Sequence, residues 1–278
     1  MSNMISLAER MKGYENIPKN FLMRRTPVII RLDGAHFKNF TRTLDKPFDG
    51  VLTRAMEGTL LHLCKTIQGC VFGYSQSDEM SLLLCDFQTL TTDGWFGYNV
   101  QKMVSTAAAM ATLSFNHNFE SAAQEFSRQT LASGVFAGDF ALRGQWLTDK
   151  MRIYKEALKK CPTFDARVFN IPKEEVNNYF VWRQFDAERN AVSALAQKNY
   201  SQKQLNGIST EQLKIKLKEE KNINWQAMPL ANTRGFICTK DFKYNNTGVR
   251  PVWGVSTTIP YFKDADFIVK EAINFEKN

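Results

Sequence analysis

Asp78 and Glu79 stand side by side between two apolar, strand-like runs within residues 71 to 86. The pattern predicts an antiparallel hairpin with both acids at or near its bend. Adjacent carboxylates in a tight turn repel each other and resist burial, so they call for water or for a cation. Another acid, Asp33, ends the run Val28-Ile29-Ile30-Arg31-Leu32 and is followed by Gly34, Ala35, His36 and Phe37. A β-branched run after Pro27 reads as a buried strand, and Asp-Gly at its end lets the chain turn sharply with its amides exposed. The same residues fit a plain strand-to-helix turn with Asp33 as a helix cap. On neighbouring strands, Asp33 and Asp78 would hold magnesium ions while the amides after Gly34 cradle a triphosphate. That is the equipment of phosphoryl transfer, where metals neutralise developing charge and align the attacking and leaving oxygens. Spacing alone does not set the two strands side by side.

The elements that must carry these acids appear in a recognisable order. Residues 5 to 16 have helical spacing, with Leu7, Met11 and Tyr14 on one side, and Pro18 stops the helix. After the strand at 27 to 33, residues 41 to 50 read as a loop presenting Lys46 and Asp49 around Pro47. Solvated loop charges are one reading of that pair; the other has Lys46 neutralising phosphate and Asp49 reading a base or ribose. Val51, Leu52, Ala55, Met56, Leu60, Leu63 and Ile67 recur at helical intervals and predict a helix packed on a sheet. Beyond the hairpin, a helix rich in small residues begins near Trp95 and carries Lys102 on its first turns. The order is β-α-β-β-α, with Ser133 to Phe140 or Phe164 to Ile171 available as the closing strand. This is the α+β, ferredoxin-like split β-α-β pattern, the layout of a polymerase or cyclase palm.

The remainder is more helical. Gln145 to Lys160 predicts a basic amphipathic helix, and Lys173 to Tyr200 a long one with Val176, Phe180, Trp182, Ala191 and Leu195 in the core. Ser209-Thr210-Glu211-Gln212 matches a capping box opening a Lys-rich helix, and residues 213 to 224 read as the most mobile segment. Residues 233 to 239 and 252 to 255 read as hairpin strands around an Asn245-Asn246 turn. The division expected is a palm domain over 1 to 140 and, over 141 to 278, a helical region with a β-hairpin packed on it.

The 278 residues carry 36 Lys and Arg against 28 Asp and Glu, a formal net charge of +8 that favours an anionic partner, nucleic acid first. The five cysteines are scattered and odd in number, without a C-x-x-C pair, so reduced thiols in a cytoplasmic protein fit better than a zinc site or a disulfide framework. The first ten residues lack the basic and apolar regions of a secretory signal, and no apolar run is long enough to span a bilayer.

Taken together, Leu7 to Glu15, Arg31-Leu32-Asp33-Gly34 with Phe37, Lys46-Pro47-Phe48-Asp49, Tyr74 to Glu79, Lys102 to Ser105, Phe164 to Val168, Trp182-Arg183-Gln184-Phe185-Asp186 and Arg234-Gly235 occur in the order of a known family. The chain resembles the tRNA-histidine guanylyltransferase superfamily, and within it the guanylyltransferase-like, 3'-to-5' RNA polymerase branch that repairs tRNA 5' ends. The resemblance implies a polymerase palm with a helical remainder, a homotetramer, and tRNA, 5'-truncated or histidine-specific, as partner. It implies that Asp33, the Gly34 carbonyl and Asp78 bind two Mg2+ ions and that Asp33, Asp78 and Glu79 are catalytic. Gly34, Ala35, His36, Phe37, Lys46, Asp49, Ser77 and Lys102 would bind ATP, GTP or another NTP, and Arg31 and Arg183 would bind RNA. The implied reaction adenylylates a 5'-monophosphate with ATP, after which the 3'-hydroxyl of an incoming nucleotide displaces AMP. Where the family's guanylyltransferases carry His-Ile-Asn-Asn, this chain has Glu188-Arg189-Asn190-Ala191. Ala35, Lys38 and Asn99 replace the usual arginine, histidine and arginine. The missing His-Ile-Asn-Asn segment favours the repair branch over dedicated G addition to histidine tRNA, while Ala35, Lys38 and Asn99 bear on nucleotide preference and activation. A palm-fold nucleotide cyclase is the further alternative.

Overall fold

The computed structural model describes residues 6–132, 140–245, 248–264 and 268. Its strands are β1 (Val28–Ala35), β2 (Cys70–Gln76), β3 (Glu79–Leu84), β4 (Thr163–Asn170), β5 (Phe236–Asn245) and β6 (Gly248–Ser256). They form one antiparallel sheet in the order β4-β1-β3-β2-β5-β6. The longer helices are α1 (Leu7–Asn16), α2 (Gly50–Thr66), α3 (Val100–Ala132), α4 (Phe140–Leu158), α5 (Val176–Asn199) and α6 (Thr210–Lys221). Helix α2 carries the chain from β1 to β2 past the place that β3 then fills, the expected split β-α-β arrangement. Of the two candidate closing strands, the one at Phe164 to Ile171 is used as β4, beside β1; residues 133–139 of the other lie outside the described residues.

Period-two alternation sorts each strand between two faces. Val28, Ile30 and Leu32 of β1 join Met80, Leu82 and Leu84 of β3 in a core with α2, α3 and Tyr154 and Ala157 of α4. Ile29, Leu83, Phe72 and Tyr74 face the other way, against Val176, Tyr179 and Phe180 of α5. The same parity sends Arg31 and Asp33 toward the α5 face. A third cluster packs Val192, Leu195, Ala196 and Tyr200 against Leu213 and Leu217 of α6. The segment expected to be most mobile is therefore anchored, because its two leucines, one turn apart, bury on α5.

One expectation fails through helix phase. Trp182, expected in the core, is 53% exposed. The buried face of α5 runs through Val176, Phe180, Arg183, Gln184, Ala187 and Ala191, and residue 182 points away from it. Leu7, Met11 and Tyr14 of α1 lie on one side as expected, yet α1 buries none of its residues. The second hairpin forms as β5 and β6; Asn245 ends β5, and Asn246 of the proposed turn lies outside the described residues. All five cysteines are free thiols, and among the described residues no helix is long and apolar enough to cross a membrane.

Candidate active site

The β2–β3 turn brings the acids together. Residue pairing puts Asp33 opposite Glu79, and the Gly34 N–H donates to the Asp78 carbonyl at 3.1 Å, tying the end of β1 to the bend. Ser77 takes a left-handed conformation with φ 50°, and its Oγ donates to Asp78 Oδ1 at 3.1 Å. A Cβ added at Gly34 would lie 2.4 Å from Phe37 Cδ2 and 2.9 Å from Asp78 Oδ2, so only glycine admits this approach. Burial holds the Asp78 carboxyl above the usual carboxylate range, and the negative charge of Asp33 adds to it. Asp78's own N–H, Ser77 and Lys46 oppose that rise. Asp33 and Asp78 are thus close enough to sense each other, with Lys46 reaching the same spot by its charge.

Glu79 has different company. It is 5% exposed, and its Oε2 accepts from Arg31 Nη2 at 2.6 Å and from Arg183 Nη1 at 3.0 Å. Burial still holds its carboxyl above the usual range, against the pull of Arg183 and Arg31. Arg183 is only 3% exposed and lies 3.3 Å from the Trp182 ring centroid, while Arg31 lies 5.8 Å from it. The two arginines expected on an RNA surface are placed in a Glu79-centred ion cluster under Trp182. One edge of the acid site is thereby made rigid.

Residues 36–38 follow β1 into a short helical turn. His36 is exposed with φ 59°, and Ala35 is the last residue of β1. The Phe37 ring is buried among Phe40, Phe115 and Phe164, with centroids 5.3, 5.1 and 4.9 Å away. Its backbone, not its ring, is what the turn can offer a ligand.

A cleft of about 160 Å³, open to solvent, lies beside the acid turn. One wall is the loop of Asp45, Lys46, Pro47 and Phe48; the others are Gln76 and Ser77, the small residues Ala187, Ala191 and Ala194 of α5, and Asn232 and Gly235. Asp49 does not face this space freely. It caps α2 through Val51 and Leu52 N–H at 2.9 and 3.1 Å, and its other oxygen accepts from Asp45 N–H at 3.1 Å and Tyr154 Oη at 3.4 Å. Lys150, one turn before Tyr154 on α4, pairs with Asp45. Helix α4 thus clamps both acids that flank Lys46.

Lys102 is not brought to this site within the chain. Thr112 accepts from Phe164 N–H at 3.0 Å, and Phe164 pairs with Gly34, so α3 reaches the acid end near residue 112. Lys102 lies ten residues earlier, ~15 Å back along the helix. Asn99, at the arginine position, is buried and accepts from Lys102 N–H at 3.0 Å. Glu188, at the histidine position, pairs with Lys214 at 2.6 Å and anchors α6. The wall at residues 231–235 escaped sequence reasoning; the one signal was Arg234-Gly235, where Gly235 has φ 82° and a Cβ would meet the Ser75 carbonyl at 2.2 Å.

The family model described as Thg1, tRNAHis guanylyltransferase, matches residues 8–172, which hold the acid turn and all four of the first strands. The chain belongs to this family. A bacterial tRNA(His) guanylyltransferase-like protein solved in complex with ATP is 35% identical, with a TM-score of 0.78 over 97% of this chain and 100% of that one. A bacterial guanylyltransferase-like protein in complex with GTP is 33% identical, with a TM-score of 0.74 over 97% and 100%. The tRNA(His) guanylyltransferase of Debaryomyces hansenii is 24% identical over 254 residues, 86% of this chain and 82% of its own. Family members are tRNA guanylyltransferases, a nucleotidyltransferase activity, and this is an enzyme of that class. The family match does not favour the nucleotide-cyclase alternative.

Proposed function

We propose that this enzyme adds nucleotides in the 3'-to-5' direction to the 5' end of tRNA, templated by the opposing strand, and so repairs truncated 5' ends. The observation that carries the reading is the acid turn, where Asp33 and Asp78 meet across the Gly34–Asp78 hydrogen bond. ATP and GTP complexes of relatives a third identical along the whole chain support nucleotides as substrates. In the first half-reaction the RNA 5'-phosphate takes the adenylyl group of ATP and pyrophosphate leaves. In the second, the 3'-hydroxyl of the incoming nucleotide forms the new bond to that phosphate and AMP leaves.

Among the described residues no three His, Cys, Asp or Glu side chains gather in metal-holding geometry. That fits magnesium, which takes one or two carboxylates and otherwise keeps water and substrate phosphates. Burial and Asp33 leave Asp78 in need of a neighbouring cation, and the donors present are all oxygen. Asp33, Asp78 and the Gly34 carbonyl would hold the two Mg2+ ions, which supply charge neutralisation at the transferring phosphoryl group when bound. Ser77 orients Asp78, and Glu79 with Arg31 and Arg183 fixes the strand pair beneath it. Lys46 and the amides of Ala35 to Phe37 face the triphosphate, and the cleft beside Lys46 takes the base. We place this chemistry in a palm formed by β1 to β4 with α2 and α3, working as a cytoplasmic homotetramer. The test is Asp33→Asn and Asp78→Asn with a monophosphorylated tRNA lacking its first nucleotide. Both variants are expected to lose 5' growth and keep RNA binding; full activity in either sinks the site.

A further inference from the structure

Helix α5 runs toward the acid turn. Tyr179 packs on Phe169 of β4 and meets Ser81 Oγ at 2.8 Å, whereas Arg183, one turn later, meets Glu79 opposite Asp33. The outer side of that same stretch carries two large aromatics, Trp182 at 53% and Phe185 at 48% exposure, three residues apart and so on neighbouring positions of one face. The surrounding charge is mixed, with Glu79, Asp165 and Asp186 set among the arginines. Arg31 and Arg183 converge on Glu79 and back the Trp182 ring from within, and the exposed Arg167 of the sheet's edge strand β4 pairs in register with Arg31. Exposed aromatic rings on a path to the acids, with the exposed Arg167 and Arg189 nearby, suit an unpaired nucleic-acid strand, whose bases stack on the rings while its phosphates meet those two guanidiniums.

We infer that Trp182 and Phe185 form a stacking shelf for the terminal bases at the RNA 5' end, holding that end in front of Asp33 and Asp78. This rests on the RNA-extending reading above and adds its positioning residues. A ring backed by two cations is fixed in place, so little freedom is lost when a base lands on it. A second copy of the chain is the other occupant such a face could take, and solution mass reads it.

The test measures binding of a 5'-monophosphorylated acceptor-stem hairpin RNA whose 5'-terminal nucleotide carries its base or is abasic. Wild-type protein is expected to bind the intact RNA about tenfold more tightly than the abasic one, the lower range of one base–aromatic stack. Trp182→Ala and Phe185→Ala are expected to bind the two RNAs alike and to bind ATP as wild type does. Phe185→Ala, at a half-exposed position, keeps the test open should Trp182→Ala not fold. Variants that still prefer the intact RNA as strongly as wild type overturn the shelf. So does a loss of ATP binding with RNA preference unchanged, or a change of solution mass in both variants. A wild-type chain that binds neither RNA overturns the shelf together with the RNA-extending reading, whereas one that binds both RNAs equally overturns the shelf alone.

Discussion

Replacing Arg183 by Met separates a structural role for Glu79 from a direct one in chemistry. Arg183 and Arg31 neutralise a carboxylate that is 5% exposed, so removing one leaves a buried charge with half its compensation. Breaking a buried pair costs 3–5 kcal/mol, and the surviving Arg31 puts this case at the lower end, about 3 kcal/mol. For 278 residues that is a fall in Tm of about 5 °C. The pH dependence follows from the raised Glu79 carboxyl. A carboxyl held above its ordinary 4.5 in the folded state contributes stability that is full below 4.5 and lost as pH rises through the folded value. Removing Arg183 raises the folded value further, so the variant's deficit is largest at neutral pH. It shrinks toward about 1 kcal/mol as pH falls below 4.5, the remainder being the lost stacking on Trp182. Urea unfolding of wild type, Arg183→Met and the Glu79→Gln/Arg183→Met pair checks this. The double variant is expected to recover most of the neutral-pH loss, since an amide carries no charge to bury. A deficit that does not vary with pH, or a double variant less stable than Arg183→Met, refutes the reasoning.

Gly34→Ala drives a methyl group into Phe37 and Asp78, and an overpacking loss of about 1–3 kcal/mol with near-complete loss of nucleotide addition is expected by thermal unfolding and 5'-extension assays. Lys150→Met and Asp45→Asn should each weaken nucleotide binding, and the double variant should be no worse than either. That non-additivity, about 1 kcal/mol in a double-mutant cycle on ATP affinity, reports the clamp on the Lys46 loop. Because Asp78 sits above the usual carboxylate range, it takes up its proton at milder acidity than a free aspartate, and proton and cation compete for it. Magnesium affinity by calorimetry is expected to start falling at a pH above the range set by a free aspartate's 3.8, and to fall more steeply in wild type than in Asp78→Asn.

The parts legible in the sequence are those written in short local runs. The β1 run and the 71–86 hairpin announce themselves as short apolar, β-branched or aromatic runs, and the Asp-Gly turn by its residue types. Which hairpin acid turns to the sheet was not legible, since that depends on the register, one residue of which sends Glu79 to Arg183 and leaves Asp78 at the bend. Arg183 lies 104 residues from Glu79, and no local pattern links them. Lys102 sits at the wrong end of a 33-residue helix, because spacing does not say where along α3 the sheet's acid end falls. Trp182 reads as core by its type alone; counting the phase set by Val176, Phe180, Arg183 and Ala187 puts it outside.

The most direct measurement supplies purified protein, magnesium, ATP and all four nucleoside triphosphates to a labelled, monophosphorylated tRNA lacking its first nucleotide. The opposing 3'-strand base is then changed through all four identities. Growth at the 5' end with an added nucleotide that follows the opposing base is the predicted result. No growth, even from a triphosphorylated 5' end, or growth by one fixed nucleotide whatever stands opposite, contradicts templated 5'-end repair.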